Sequence, residues 1–554
     1  MNALDETTNL LPIPEEEGGD LELEYHKHNL SLPKLPILTS LWLGSFVSSL
    51  DGTIVANIMN RVAEEFSESD KKQWIATSFL LTNTAFQPLY GKLSDVTGRK
   101  FALLMAYFFL VIGCLLTCLA RNVTEFAVAR AICGIGGGGI NACSSITVSD
   151  ICTAKERGIY QGYANIVFGM GQMLGAPLGG LFIDTIGWRA IFGIQVPVVM
   201  VSAFLAYRNV NIKLSHVPPI SERFTRKNLS RIDFLGSVTL ASTICGVLVL
   251  CSTDLNKLVV SLATAASFVL FLWVELFYAA ERILPFELLK GPFGLSSVVT
   301  VCSSFVIFGD IFRSPIYLQL IHDLSVTNTG LFMIFPSVSV AVGSLVTGAV
   351  LRRTSKSLEL CSYLFVLAGI ALQLTGLVIS YYLVGVVEPA LSTQMASTLT
   401  FQFASQSTLW KLVFVFASVL VGFGYACLLV STLVSIVFSI DKSQQATMTG
   451  IFYLWRSIGN VLGASLTLVV FQNSLTTSLR KYMLESHRSF TKKQYYKLLT
   501  DSSYLRTHFS GDTLLGLLKV YRGAFLTSYL PNLGLAALGV ALSLALIRSY
   551  NKTK

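Results

Sequence analysis

Long apolar runs separated by short polar stretches dominate this chain of 554 residues. An α-helix rises 1.5 Å per residue, so about 20 mostly apolar residues cross the hydrocarbon layer of a bilayer. Runs of that kind lie at 36–57, 74–93, 101–119, 125–149, 159–183, 190–208, 233–252, 257–278, 294–319, 328–351, 358–383, 411–438, 447–472 and 524–547. The pattern predicts an all-α integral membrane protein with about fourteen spanning helices. It divides the chain into a disordered acidic tail at 1–34, a six-helix half at 35–208 and a basic loop at 209–232. Two inserted helices follow at 233–278, then a second six-helix half at 294–547 with a long loop at 473–523, and a short tail at 548–554.

Composition agrees with this division. The chain is 53% hydrophobic and only 13% charged, about half the charged share of soluble domains. Lipid solvates an apolar exterior that water would not. The net charge of +9 clusters in loops, which reads as topology and not as nucleic-acid binding. An even number of spans puts both termini on one side. With a cytoplasmic amino terminus, the inside loops carry Lys92, Arg99, Lys100, Lys155, Arg157, Arg223, Arg226, Lys227, Arg231, Arg352, Arg353 and Lys356. The short outside loops hold only Arg61, Lys71, Lys72, Arg121 and Lys257. Both termini are therefore expected in the cytoplasm, and the long loop on the lumenal or external side. The first thirty-odd residues are polar and lack the apolar core of a signal peptide. The cysteines sit mostly in apolar runs without paired CxxC spacing and read as small helix residues. No Walker loop, metal cluster or catalytic triad spacing occurs, so neither cofactor nor metal nor enzymatic activity is expected.

A few charges interrupt the spans. Asp51 lies in the first, where a carboxylate must pair, titrate or face water; burial favours its protonated form, which suits proton coupling. Arg130 lies in the fourth, ahead of Gly134 to Gly139, and either faces the protein interior or snorkels to the nearby interface. Asp310 and Arg313 in the ninth share a helix face and form either a functional charge pair or a self-neutralising one. Arg456 is the remaining candidate in the second half, and Glu275 is read as interfacial because its span ends soon after it.

Between spans two and three, Gly91-Lys-Leu-Ser-Asp95-Val-Thr-Gly98-Arg99-Lys100 combines small residues for close helix approach and a positive-φ turn with an acid in reach of a base. Asp95 and Arg99 can thus lock or release a gate. Span five carries Gly171, Gly175, Pro177, Gly179 and Gly180, a flat packing face with a proline kink. The chain also echoes itself. Gly171-Gln-Met-Leu-Gly175-Ala resembles Gly459-Asn-Val-Leu-Gly463-Ala, and Gly91 with Arg99-Lys100 has a degraded counterpart in Gly348 with Arg352-Arg353. Two homologous halves enclosing a midplane site account for both echoes.

These strings resemble the motifs of the major facilitator superfamily: Gly91 to Lys100 its motif A, Arg130 with Gly134 to Gly139 its motif B, and Gly171 to Gly180 its motif C. The resemblance implies a proton-transfer role for Arg130 and exchange against protons. Ser49-Leu-Asp51-Gly-Thr-Ile-Val55, Trp188-Arg189-Ala-Ile-Phe192 with Pro197, and Asp233-Phe-Leu-Gly236 look like the fourteen-span drug:proton antiporter branch. Within it, Asp51 to Asn57, Gln73-Trp74 to Phe79, and Tyr453-Leu-Trp455-Arg456-Ser-Ile-Gly459-Asn460 resemble the fungal vacuolar basic amino acid transporters. That resemblance implies import of lysine, histidine and arginine into the vacuole by proton antiport. A cationic side chain suits Asp51 or Asp310, and the amino acid's carboxylate suits Arg130 or Arg456. Glu6 four residues ahead of Leu10-Leu11 fits an acidic dileucine signal, read by a sorting adaptor and directing the chain, as a monomer, to the vacuole membrane. Two rivals are a plasma-membrane multidrug:proton antiporter and an amino acid sensor that does not transport.

Overall fold

The structure is a computed structural model that describes residues 24–553 apart from interruptions, the longest at 279–290 and 389–405. Glu6, Leu10 and Leu11 lie outside the described residues. Regular structure among the described residues is helical throughout. The first half comprises α1 (Lys34–Glu65), α2 (Lys72–Ala85), α3 (Gln87–Thr97), α4 (Arg99–Leu119), α5 (Val123–Ile151), α6 (Ala154–Thr185) and α7 (Trp188–Asn209). The inserted pair is α8 (Phe234–Ser252) and α9 (Lys257–Trp273). The second half comprises α10 (Pro292–His322), α11 (Val326–Arg353), α12 (Leu358–Val386), α13 (Gln406–Ser439), α14 (Gln445–Glu485), the short α15 (Tyr504–His508) and α16 (Gly511–Thr553).

Among the described residues, ten of these helices are long and apolar enough to cross a membrane. The more polar α1 and α6, the pair α2–α3 and the shorter α8 pack into the same bundle and complete about fourteen spans. Span two is a broken helix. Pro88 stands in the first turn of α3, where its missing N–H costs nothing, and α3 starts anew after Phe86. The charged connection to span three is shorter than its sequence suggests. Asp95 is in the last turn of α3, Arg99 opens α4, and Gly98 alone makes the corner at φ 90°.

The loop expected at 473–523 is largely helix, because α14 runs on to Glu485 and α16 begins at Gly511. Beyond the apolar stretches these helices are amphipathic. Leu475 and Leu479 bury one face of α14, and Leu514, Leu517, Leu518 and Tyr521 bury the matching face of α16. A search for continuous apolar runs passes over such segments. Glu275 is not interfacial as expected but fully buried, in a π-helical turn (Val274–Tyr278) that continues α9.

The repeated glycines occupy equivalent places. A Cβ on Gly171 would come within 2.6 Å of the Phe46 carbonyl on α1, and one on Gly459 within 2.6 Å of the Val301 carbonyl on α10. Each glycine face therefore seats one helix of its half against the first helix of that half, at a separation only glycine permits.

Candidate functional site

Asp51 sits midway along α1 and Arg130 in the second turn of α5, both without solvent exposure. The first glycines of the motif B run bring α2 alongside α5: a Cβ on Gly134 would lie 3.0 Å from the Asn83 nitrogen. In that arrangement Arg130 Nη1 donates to Asp51 Oδ2 at 2.5 Å, and Nη2 donates to the Asp51 carbonyl at 3.0 Å. Its guanidinium lies over the rings of Phe79 on α2 at 4.5 Å and Phe192 on α7 at 5.5 Å. Asp51 Oδ1 and Arg130 Nε meet no partner among the described residues. Arg130 thus faces the interior and does not snorkel. The pair thus keeps one carboxylate acceptor and one guanidinium N–H outside its own hydrogen bonds.

The Asp310–Arg313 pair is self-contained. Arg313 Nη2 donates to Asp310 Oδ1 at 2.7 Å within α10, and Nη1 donates to the Ser528 carbonyl. The guanidinium also stands 3.3 Å from the centre of the Tyr529 ring on α16. Such a pair neutralises two charges inside the bundle and fastens α10 to α16.

Arg456 on α14 has no carboxylate within ion-pair distance among the described residues. Its Nε donates to the Tyr425 hydroxyl on α13 at 3.0 Å. Its guanidinium stands over Phe168, Tyr453 and Tyr425 at 5.3, 5.7 and 5.9 Å. Phe168 belongs to α6, so this half-buried cation bridges the two halves. Cation–π contacts hold the charge without neutralising it, which leaves Arg456 able to accept an anion.

At one end of the bundle the halves close on each other. Arg99 Nη1 donates to Asp95 Oδ1 at 2.8 Å, and Nε donates to Asp150 Oδ2 at 2.7 Å, tying α3, α4 and α5 together. Lys100 donates to Asn211 Oδ1, and Arg223 donates to the Thr97 carbonyl. Next to this cluster, a Cβ on Gly450 of α14 would come 3.4 Å from Gly91 Cα, and Ser457 donates to Gln87 at 2.9 Å. On the other side of the seam, a Cβ on Gly158 of α6 would lie 3.0 Å from Gly348 Cα on α11, and Asn165 donates to Ser344 at 3.0 Å. The two sequence echoes of motif A, Gly91 and Gly348, thus mark two crossings between the halves. The structure is closed at the motif A end.

The motif C residues Gly171, Gly175 and Gly179 line the α1-facing side of α6. Pro177 and Gly180 lie in the same helix, and their side-chain surroundings fall outside the described residues.

Several residues of this arrangement escaped sequence reading. Asp150 carried a signal, an acid at the end of span four. The rings of Phe79, Phe168, Phe192 and Tyr425 carried none, since apolar residues in a span are the rule. Arg157 was assigned to a loop as a topology charge; it stands instead in the first turn of α6 and is 1% exposed.

Comparisons with known proteins come to the same family. The profile of the Major Facilitator Superfamily matches residues 41–464. The chain is 66% identical over 559 residues to vacuolar basic amino acid transporter 1 of Saccharomyces cerevisiae, across 100% of this chain and 99% of that protein. It is 34% identical to multidrug resistance protein fnx1 of Schizosaccharomyces pombe, across 83% of each. Its fold matches the crystal structure of the human organic anion transporter MFSD10 with a TM-score of 0.55 at 15% identity, across 92% of this chain and 99% of that one. The chain belongs to the major facilitator superfamily, in its vacuolar basic amino acid transporter family.

Proposed function

We propose that this protein imports lysine, histidine and arginine into the vacuole in exchange for protons. The observation that carries the substrate reading is the 66% identity, along the whole chain, to a vacuolar basic amino acid transporter. The buried Asp51–Arg130 pair supports the coupling. A proton on Asp51 removes the charge that holds Arg130, so one protonation changes a contact between α1 and α5. Deprotonated, Asp51 offers its second oxygen to the substrate's cationic side chain, while Arg456 receives the carboxylate. Proton and cation compete for one group, which couples the two fluxes.

In this reading both termini are cytoplasmic, the motif A end faces the cytoplasm, and the monomer is the working unit. The dileucine signal at Leu10 and Leu11, with Glu6, engages a sorting adaptor. Exchange of one lysine cation for one proton moves no net charge, so the pH difference alone drives uptake.

The test is ATP-dependent uptake of labelled lysine, histidine, arginine and a neutral control into vacuole vesicles from cells with and without the protein. Protein-dependent uptake of the three basic amino acids, abolished by nigericin with potassium and surviving a voltage clamp, is the expected result. Uptake of neither kind, with export of hydrophobic cations instead, overturns the reading in favour of a drug antiporter.

A further inference from the structure

Arg157 is among the largest fully buried side chains of the protein, and its Nε, Nη1 and Nη2 all lack an acceptor among the described residues. An unsatisfied buried guanidinium costs far more than a satisfied one, so its retention calls for a partner that arrives in another state. Asp150 acts on its charge from nearby but is committed to Arg99. Arg157 adjoins Gly158, where α6 touches α11 and the halves meet. It therefore lies beside the crossing of the two halves.

The same face of α6 continues inward. Arg157, Gln161, Asn165 and Phe168 follow at helical spacing, so they fall within one narrow sector. Gln161 and Asn165 are buried and bonded to each other, and Asn165 reaches Ser344 across the seam. The stripe ends at Phe168, against the Arg456 guanidinium, about 16 Å along the helix from Arg157. Tyr453 stands next to Arg456 as well. Two guanidinium groups thus mark the ends of a polar track that the seam covers in this conformation.

We infer that Arg157 is the first receiver of the substrate's carboxylate on the motif A side, handing it along the Gln161–Asn165 face of α6 to Arg456. The inference rests on the basic amino acid reading above and adds a specificity residue to it. Opening the seam exposes Arg157, and a carboxylate satisfies it as a charge-assisted bidentate partner. Closing strips that partner away and favours transfer to Arg456.

The test compares L-lysine with L-lysinamide, which keeps both amines and lacks the carboxylate, in the vesicle assay. Arg157→Gln should raise the KM for lysine about tenfold and leave the inhibition constant of lysinamide unchanged. Its thermal midpoint should rise, since an unsatisfied buried charge is gone. A purely structural arginine behaves oppositely, with a lowered midpoint and equal loss for both compounds; that outcome overturns the inference. If Arg157→Gln fails to reach the membrane, Arg157→Lys decides. It keeps the charge but not the fork, so the lysine KM should rise while lysinamide is unaffected, and an unchanged ratio overturns the inference. Absence of lysine uptake by the wild-type protein overturns the transport reading itself, whereas normal wild-type uptake with an indifferent Arg157 variant removes only the carboxylate relay.

Discussion

Each half of this protein buries an acid with an arginine, and the two pairs are built differently. Asp51 and Arg130 come from helices 79 residues apart in sequence and face each other between α1 and α5. Asp310 and Arg313 are three apart on one helix. Breaking the first pair changes how two helices are held; breaking the second leaves α10 intact and Arg313 still resting on Tyr529 and the Ser528 carbonyl. The acid and base of the second pair share one helix, whereas those of the first join two. The same asymmetry recurs at the seam. The first half has the Asp95–Arg99–Asp150 ion-pair cluster, and at the equivalent place the second half has, among the described residues, the glycine contact of Gly348 and no ion pair.

This contrast predicts a ranking of effects. Asp51→Asn should be the most damaging to transport, because it removes the group for which proton and cation compete, while Arg130 keeps the Asp51 carbonyl and the rings of Phe79 and Phe192. Exchange should fall to background, at a stability cost of about 1–3 kcal/mol, measured by vesicle uptake and thermal unfolding of the purified protein. A stable Asp51→Asn protein with full proton-driven lysine uptake would rule the pair out as the coupling site.

Gly348→Val comes next. Its Cβ would press on the Gly158 backbone at 2.6 Å, with no flexible side chain to give way. Overpacking of this kind costs about 1–3 kcal/mol, charged entirely to the closed state. Thiol labelling of a Ser344→Cys reporter should increase roughly fivefold or more, and unchanged labelling would show that the seam is not a moving contact.

Asp95→Asn should be milder, since Arg99 keeps Asp150. Uptake of lysine, histidine and arginine should slow by one common factor of about tenfold or less, each determined as an initial rate. Selective loss of one amino acid would place Asp95 in substrate choice instead of gating. Asp310→Asn should matter least to transport. With Arg313 still held by an aromatic face and a carbonyl, the expected stability cost is about 1–3 kcal/mol with lysine uptake nearly retained. Loss of coupling in this variant would reverse the comparison between the halves.

The order of spans, the two-half organisation and the closely packed glycines of α6 and α14 were legible in the sequence, for one reason. A bilayer requires each spanning segment to satisfy its own backbone and present apolar residues over a known length, so the constraint is local and shows in any window of about 20 residues. Where that constraint lapses the sequence became harder to read. The amphipathic ends of α14 and α16 looked like a loop, and Glu275 near the end of its apolar run looked interfacial although neighbouring helices bury it.

By itself, the sequence determined that Asp51, Asp310, Arg313 and Arg456 lie within apolar spans, and that Asp310 and Arg313 share a face. Only the tertiary structure decided that Asp51 belongs to Arg130, that Arg456 stands among rings from both halves, and that Arg157 is a buried cation and not a loop charge. A charge within a span is visible from its neighbours in sequence. Its partner depends on how each helix is rotated and how closely it crosses the next, and that is set by packing between segments that the chain places far apart.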